Sequence, residues 1–303
     1  MTAAIIDGKK IAREIREEIA REVAALREKT GAVPGLAVIR AGDDPASAVY
    51  VRMKEKACRE AGIASFNHDL PAGVGEPELL ALVERLNRDP AVDGILVQLP
   101  LPSPLEEKKI IPAVSPAKDV DGFHPVNLGR LVRGEEGFLP CTPLGILELL
   151  NRSGYPPDGR HAVVVGRSTI VGKPLALMLA RKASGANATV TLCHTGTDDL
   201  GRITRRADIL IVAAGRPATV TGEMVKRGAV VIDVGVNVTG KTPEGKRILA
   251  GDVDFPAVAK KAAAITPVPG GVGPMTIAML LKNTLAAFRQ RLSAAGQDSP
   301  PAA

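Results

Sequence analysis

Two short stretches carry side chains whose types and spacing suit chemistry. The first is VVVGRSTIVGKP, residues 163 to 174. An apolar run enters a glycine turn and then a helix, and in an open parallel sheet such a turn presents backbone N–H groups to a phosphate. Gly166 stands at the turn, Ser168 and Thr169 add hydroxyl donors, and Gly172 is the second glycine before the helix. The glycine spacing departs from the usual dinucleotide fingerprint, so a plain structural turn also fits. Three later apolar runs that end in glycine, at CHTG, AAG and DVG, favour a dinucleotide site. An NAD site places an acid about 20 residues after the turn to hold the ribose hydroxyls. Here TVTLCHTGT ends in Cys193, His194 and Thr195 instead, while Arg167 sits inside the turn. A carboxylate repels a 2′-phosphate, whereas a guanidinium and a hydroxyl bind it, so NADP is the expected cofactor.

The second stretch is AVYVRMKEK. Tyr50 and Lys54 are four residues apart on an expected helix and share one face, one turn above the other, while Lys56 points elsewhere. Gln98 ends the apolar run DGILVQLPLP, and Asp121 lies in KDVDGFHP. Taken singly, each also fits a surface, cap or turn position. In TPVPGGVGPMT the prolines fix φ while Gly270, Gly271 and Gly273 permit close backbone approach, which suits a rigid loop. Pro269, Gly271 and Thr276 are its expected ligand contacts.

The elements that must position these residues follow from periodicity. Ile11, Ile15, Ile19, Val23 and Leu26 recur at helical spacing. PGLAVIRAG reads as a buried strand, and SAVYVRMKEKACREAGI as a helix stopped by Gly62. EPELLALVERLNRD reads as another helix before the strand VDGILVQLPLP. TPLGILELLNRSG is an expected connecting helix, and HAVVVG, ATVTLC, ILIVAAG and AVVIDVG are expected strands. Strands alternating with helices make a parallel sheet covered by helices. The expected architecture is therefore two α/β domains: residues 1–140, rejoined by a closing helix at 274–292, and residues 141–273, which are Rossmann-like. The tail, 293–303, is expected to be disordered.

Composition narrows the function classes. The 303 residues are 45% hydrophobic and 24% charged, the balance of a globular protein. Aromatics make up 2% with no Trp, which leaves little for stacking nucleic-acid bases. The net charge of +6 is spread along the chain and suits an anionic cofactor or substrate as well as a nucleic acid. No nucleic-acid partner and no membrane are expected. Cys58, Cys141 and Cys193 lack metal-ligand spacing and read as reduced thiols, so no metal and a cytoplasmic location are expected.

Nearly all of residues 4 to 288 resembles one family, the bifunctional methylenetetrahydrofolate dehydrogenase/cyclohydrolases. The resemblance runs in order through IIDGKKIA, GDDPASAVYVRMKEKACREAGI, DGILVQLPLP, KDVDGFHPVNLGRL, PCTPLGILELL, VVVGRSTIVGKP, ATVTLCHTGT, ADILIVAAGRP, AVVIDVGVN and TPVPGGVGPMTIAML. It implies a tetrahydrofolate substrate in a cleft between the domains, NADP, a homodimer formed through the cofactor domain, and a place in tetrahydrofolate interconversion and purine biosynthesis. It also implies Lys54 as the catalytic lysine, Tyr50 packing on the folate rings, Gln98 tuning the lysine, and Asp121 anchoring the pterin. Ser47, Leu99, Pro269, Gly270 and Gly271 would complete the substrate contacts. Gly166, Arg167, Ser168, Val171, Gly172, His194, Thr195, Ala214, Gly215, Val236, Gly273 and Thr276 would contact NADP. One position departs from the family pattern: Thr195 stands where a serine is usual, keeping the hydroxyl and adding a methyl. Outside the family, a shikimate dehydrogenase-like oxidoreductase or a non-catalytic NADP-binding module are the alternatives.

Overall fold

The computed structural model describes residues 2–242, 245 and 247–296. In chain order the first elements are β1 (Ala4–Ile5), α1 (Gly8–Thr30), β2 (Gly35–Ala41), α2 (Pro45–Ala61), β3 (Ala64–Leu70), α3 (Glu76–Arg88) and β4 (Gly94–Val97). Then come α4 (Glu107–Ile110), α5 (Pro125–Arg133), α6 (Cys141–Arg152), β5 (His161–Val165), α7 (Gly172–Ala180), β6 (Thr189–Cys193), α8 (Leu200–Thr204) and β7 (Ile209–Val212). The chain finishes with β8 (Val230–Asp233), β9 (Asn237–Lys241), β10 (Arg247–Ala250), α9 (Phe255–Val258), β11 (Ala264–Ile265) and α10 (Val272–Ala294). Two compact units result. One takes the chain up to Ala12 with Thr142–Thr276, and the other takes Arg13–Cys141 with the chain from Ile277 on.

The Arg13–Cys141 unit is built on a parallel sheet of order β3-β2-β4. Ile39, Leu79, Leu82, Val83, Ile95, Val97 and Ile110 form its core. The central strand, GLAVIRA, is covered on both faces and reads as an apolar run up to Arg40. β3 was not anticipated, because ASFNHDL is a half-covered edge strand with Asn67, His68 and Asp69 in its second half. Asp93 fixes the start of β4: its side chain accepts from Gly35 N at 2.9 Å and from Arg291 Nε of α10 at 2.6 Å. Both oxygens of this buried carboxylate are thus paired, which a buried charge requires.

The other unit carries a six-stranded parallel sheet of order β1-β11-β8-β7-β5-β6. Val163, Val165, Leu210, Val212, Val231 and Ile265 fill one side of it, joined by Ala3. The order reverses at β5, whose neighbours are β6 and β7, and in open α/β sheets the ligand crevice opens at such a switch point.

Domain limits depart from the sequence expectation at both ends. The first residues do not join the Arg13–Cys141 unit: β1 pairs with β11, with Ala4 N bonded to Ala263 O at 2.8 Å and Ile6 N to Ile265 O at 2.9 Å. A two-residue edge strand carries too short a pattern to be read from sequence. The closing helix starts two residues earlier than expected and continues to Ala294, so residues 293 and 294 of the expected tail are helical. Residues 297–303 of that tail lie outside the described residues.

Candidate active site and cofactor cavity

Asp44 caps α2, its carboxylate accepting from the backbone N and the hydroxyl of Ser47, both at 2.8 Å. Gly62 ends the helix in the left-handed region, φ 74°, with its N–H returned to Cys58 and Arg59 carbonyls. Between these caps, Tyr50 is 40% exposed while Lys54, one turn on, is 8% exposed. Lys54 Nζ donates to Gln98 Oε1 at 2.8 Å. Gln98 sits one residue past β4. Its N–H donates to Ile39 O at 2.8 Å, and its Nε2 donates to Leu99 O at 2.7 Å, which aims the amide oxygen at the lysine.

Asp121 is held by its loop rather than by a regular element. Asp119, buried, accepts from Phe123 N at 3.2 Å, His124 N at 2.8 Å and Asn127 Nδ2 at 2.8 Å. Asn283 of α10 donates to Val120 O at 2.8 Å and to Leu139 O at 3.0 Å. Gly122 has φ 77°, and a Cβ there would lie 2.5 Å from the Leu139 carbonyl carbon, so only glycine suits the turn beside Asp121.

These groups share one electrostatic environment. Burial pushes the Lys54 ammonium below its usual range, opposed by the Asp121 charge. Burial pushes Asp121 up to about 6, opposed by Lys54. Desolvation disfavours both charged forms, and each partner restores part of the other's charge. Burial also raises the thiols of Cys58, to about 12, and Cys141. Both therefore stay protonated and bring no anion to the lysine. The arrangement is an amine whose charged form burial disfavours, oriented by an amide and faced by a carboxyl: the parts of an acid–base catalyst.

In the other unit, β5, β6 and β7 end around a cavity of about 430 Å³. Gly166, Arg167, Ser168, His194, Thr195 and Ala214, all among the residues expected to contact NADP, line it. A Cβ at Gly166 would stand 2.2 Å from Ala213 O, and one at Gly172 would stand 2.0 Å from Gly166 O, so the turn is closed against its neighbours. Ser168 differs from the expectation of a simple donor. Its Oγ accepts from Val171 N at 3.1 Å and Gly172 N at 3.3 Å, so it ties the turn to the start of α7 and still has its own proton to donate. His194 N donates to Thr197 Oγ1 at 2.8 Å, which shapes the loop after β6.

Other predicted cofactor residues fall elsewhere. Val171 and Gly172 build the turn, and Gly215 adjoins Ala214; none of the three, nor Val236, Gly273 or Thr276, lines this cavity. Thr276 Oγ1 instead bonds Thr142 Oγ1 at 2.9 Å. Sequence reasoning missed Thr197, Thr219 and Arg216, of which Arg216 carried a signal, directly after the glycine in AAGRP. Pro269, Gly270 and Gly271 belong to this unit too. Pro269 is exposed, Gly270 has φ 111°, and its carbonyl accepts from Lys9 N at 3.1 Å. A Cβ at Gly8 would stand 1.8 Å from Gly271 O, so the loop and the start of α1 touch backbone to backbone.

Comparison with known proteins agrees with both halves of the molecule. The catalytic-domain model of tetrahydrofolate dehydrogenase/cyclohydrolase matches residues 6–121, and the NAD(P)-binding-domain model of the same enzymes matches residues 140–292. The bifunctional protein FolD of Dehalococcoides mccartyi is 59% identical over 290 residues, 96% of this chain and 98% of that protein. The solved FolD of Campylobacter jejuni, a methylenetetrahydrofolate dehydrogenase/cyclohydrolase, superposes with a TM-score of 0.89 at 49% identity, covering 96% of this chain and 100% of that one. The Trypanosoma brucei methylenetetrahydrofolate dehydrogenase-cyclohydrolase, solved with NADP and an inhibitor, gives a TM-score of 0.91 at 42% identity over 96% of this chain and 99% of that one. With a buried lysine on one α/β unit, a cavity lined by two arginines and four hydroxyls on the other, and both domain models matched, the chain belongs to the tetrahydrofolate dehydrogenase/cyclohydrolase family.

Proposed function

We propose that this protein oxidises 5,10-methylenetetrahydrofolate to the 5,10-methenyl form with NADP and then hydrolyses that cation to 10-formyltetrahydrofolate, with Lys54 as the proton carrier. One observation supports this most strongly: a lysine 8% exposed whose Nζ is fixed 2.8 Å from an amide oxygen, with its charged form disfavoured by burial.

The cavity after β5, β6 and β7 fits NADP. Two guanidiniums, Arg167 and Arg216, and the hydroxyls of Ser168, Thr195, Thr197 and Thr219 line it, and no carboxylate does. When bound, NADP supplies the hydride acceptor. Arg167 and Thr195 would hold its 2′-phosphate, and the backbone of the Gly166 turn would hold the pyrophosphate. Tyr50 packs on the folate rings, and the Asp121 carboxylate accepts the pterin N–H groups. Ser47 supports this pair through the Asp44 cap, and Leu99, Pro269, Gly270 and Gly271 complete the substrate contacts.

Loss of hydride leaves a cationic carbon between two folate nitrogens. Neutral Lys54 takes a proton from the water that attacks this carbon. The lysine, now ammonium, gives that proton to the departing ring nitrogen as the carbon–nitrogen bond breaks. The hydroxyl proton leaves as the formyl carbonyl forms, so one proton is released per turnover. Gln98 keeps Nζ aimed throughout, and the positive charge of the intermediate further favours the neutral amine.

Family membership favours this enzyme over a shikimate dehydrogenase-like oxidoreductase or a non-catalytic NADP module. The protein acts as a homodimer in the cytoplasm, feeding formyl groups to purine biosynthesis. Exposed Val236, Val238 and Ile248 at the β9–β10 hairpin support an apolar contact between copies. Among the described residues no helix is long and apolar enough to cross a membrane.

Adding methylenetetrahydrofolate and NADP to the purified protein should raise an absorbance band of the methenyl product that then decays. A flat trace with active cofactor and fresh substrate rejects the assignment. The pH dependence is a second test. Asp121 titrates at about 6 and accepts pterin donors only when ionised, so KM for the folate should rise as pH falls through 6, approaching tenfold per unit below it. Asp121→Asn should start from a raised KM and lose this acid limb.

A further inference from the structure

Asp252 lies in the segment between β10 and α9, outside every motif read above. It is 0% exposed, and it accepts three hydrogen bonds. Its Oδ2 takes the N–H of Ala214 at 2.6 Å and of Gly215 at 2.8 Å, and its Oδ1 takes Nδ2 of Asn237 at 2.8 Å. A second buried carboxylate locks it in place: Asp233 Oδ1 accepts from Asp252 N at 2.9 Å and Gly235 N at 3.0 Å, and Oδ2 from Val253 N at 3.0 Å. The space is shaped for this pair. A Cβ at Gly235 would lie 2.2 Å from Asp252 Oδ1, and one at Gly251 would lie 1.8 Å from Asp233 Oδ2.

The two N–H groups that Asp252 holds belong to the loop leaving β7, and Ala213, Ala214, Arg216 and Thr219 of that loop line the cofactor cavity. Successive N–H groups after a strand ordinarily form an anion-binding nest. Here they are turned away from the cavity and spent on a buried carboxylate. The Ala214 and Gly215 N–H groups are therefore not free for a nucleotide, and Arg216 is the cation that this loop brings to the cavity wall.

We propose that Asp252 is a positioning residue for NADP binding: by taking the Ala214 and Gly215 N–H groups it fixes the β7 loop in the conformation that sets Arg216 and Thr219 in the cavity wall. Without it, two N–H groups lose a charged acceptor, and the loop relaxes to find another. The inference rests on NADP occupying that cavity, as assigned under the function above.

The test measures NADP dissociation constants by calorimetry, together with cyclohydrolase turnover of methenyltetrahydrofolate, which needs no cofactor. Asp252→Ala should weaken NADP at least tenfold and leave cyclohydrolase turnover within twofold of the parent. Asp252→Asn keeps one oxygen for the two N–H groups, and Asn237 can rotate its amide to meet the new NH₂. It should weaken NADP only two- to fivefold, again with cyclohydrolase intact. If Asp252→Ala yields no folded protein, Asp252→Asn decides by the same two readings. Unchanged NADP affinity in the folded variants overturns the proposal, and so does a cyclohydrolase loss that parallels the affinity loss, since that marks general damage. Arg167→Ala serves as the parallel arm: if it leaves NADP affinity untouched, the cavity assignment itself fails, whereas a loss in Arg167→Ala alone rejects only the role of Asp252.

Discussion

Lys54→Met should lose cyclohydrolase turnover by at least about a thousandfold, in the upper part of the range for removing a general acid–base group. The large effect follows from the absence of a substitute. Cys58 and Cys141, which with Asp121 act on the Lys54 charge, are held protonated by burial, and Asp121 has the proposed task of accepting pterin donors. Methionine matches the lysine stem in length and is at home in a site that is 8% exposed, so the fold should survive. Hydride removal needs orientation more than proton transfer, so dehydrogenase turnover should fall by less than about tenfold. The methenyl band should then rise and persist, decaying only at its spontaneous rate. Hydrolysis faster than that rate in the purified variant removes Lys54 from the mechanism. A side effect provides an internal check. Deleting the cation that lowers the Asp121 pKa should move the acid limb of the folate KM above pH 6.

How much of this could be read from the sequence varied with how each element is covered. HAVVV, ILIV and VVID lie inside a parallel sheet with helices on both faces, so their apolar runs are unbroken and their strands are evident. β1 and β11 are two residues long, and ASFNHDL is an edge strand, so none of the three leaves a periodic signal. At the site, Lys54 and Tyr50 were placed on one face by spacing alone, but the difference in their burial was not. Nor was the partner that fixes the amine, Gln98, 44 residues away, whose aim depends on a bond to the next carbonyl. Asp252 left no trace at all. Its role is made by contacts to backbone N–H groups 37 and 38 residues earlier, and backbone atoms carry no residue identity.

Arg167→Ala should raise KM for NADP at least tenfold and leave KM for NAD within about twofold, because the guanidinium is proposed to meet the one group the two cofactors do not share. A hydrogen bond to a charged partner contributes about 1.5–3 kcal/mol, or roughly ten- to a hundredfold. Arg167 is exposed, and salt screens it, so the lower end applies at physiological ionic strength and the effect should grow in dilute buffer. Arg216 lines the same cavity and limits the loss by leaving one cation in place. Adding Arg216→Ala should therefore weaken NADP further, beyond the sum of the separate effects if both cations face the same phosphate. Thr195 and Ser168 remain in either variant, which is why NAD, with free ribose hydroxyls at this position, should bind nearly as before. Equal increases for the two cofactors would mean that Arg167 braces the turn between β5 and α7 and does not read the phosphate.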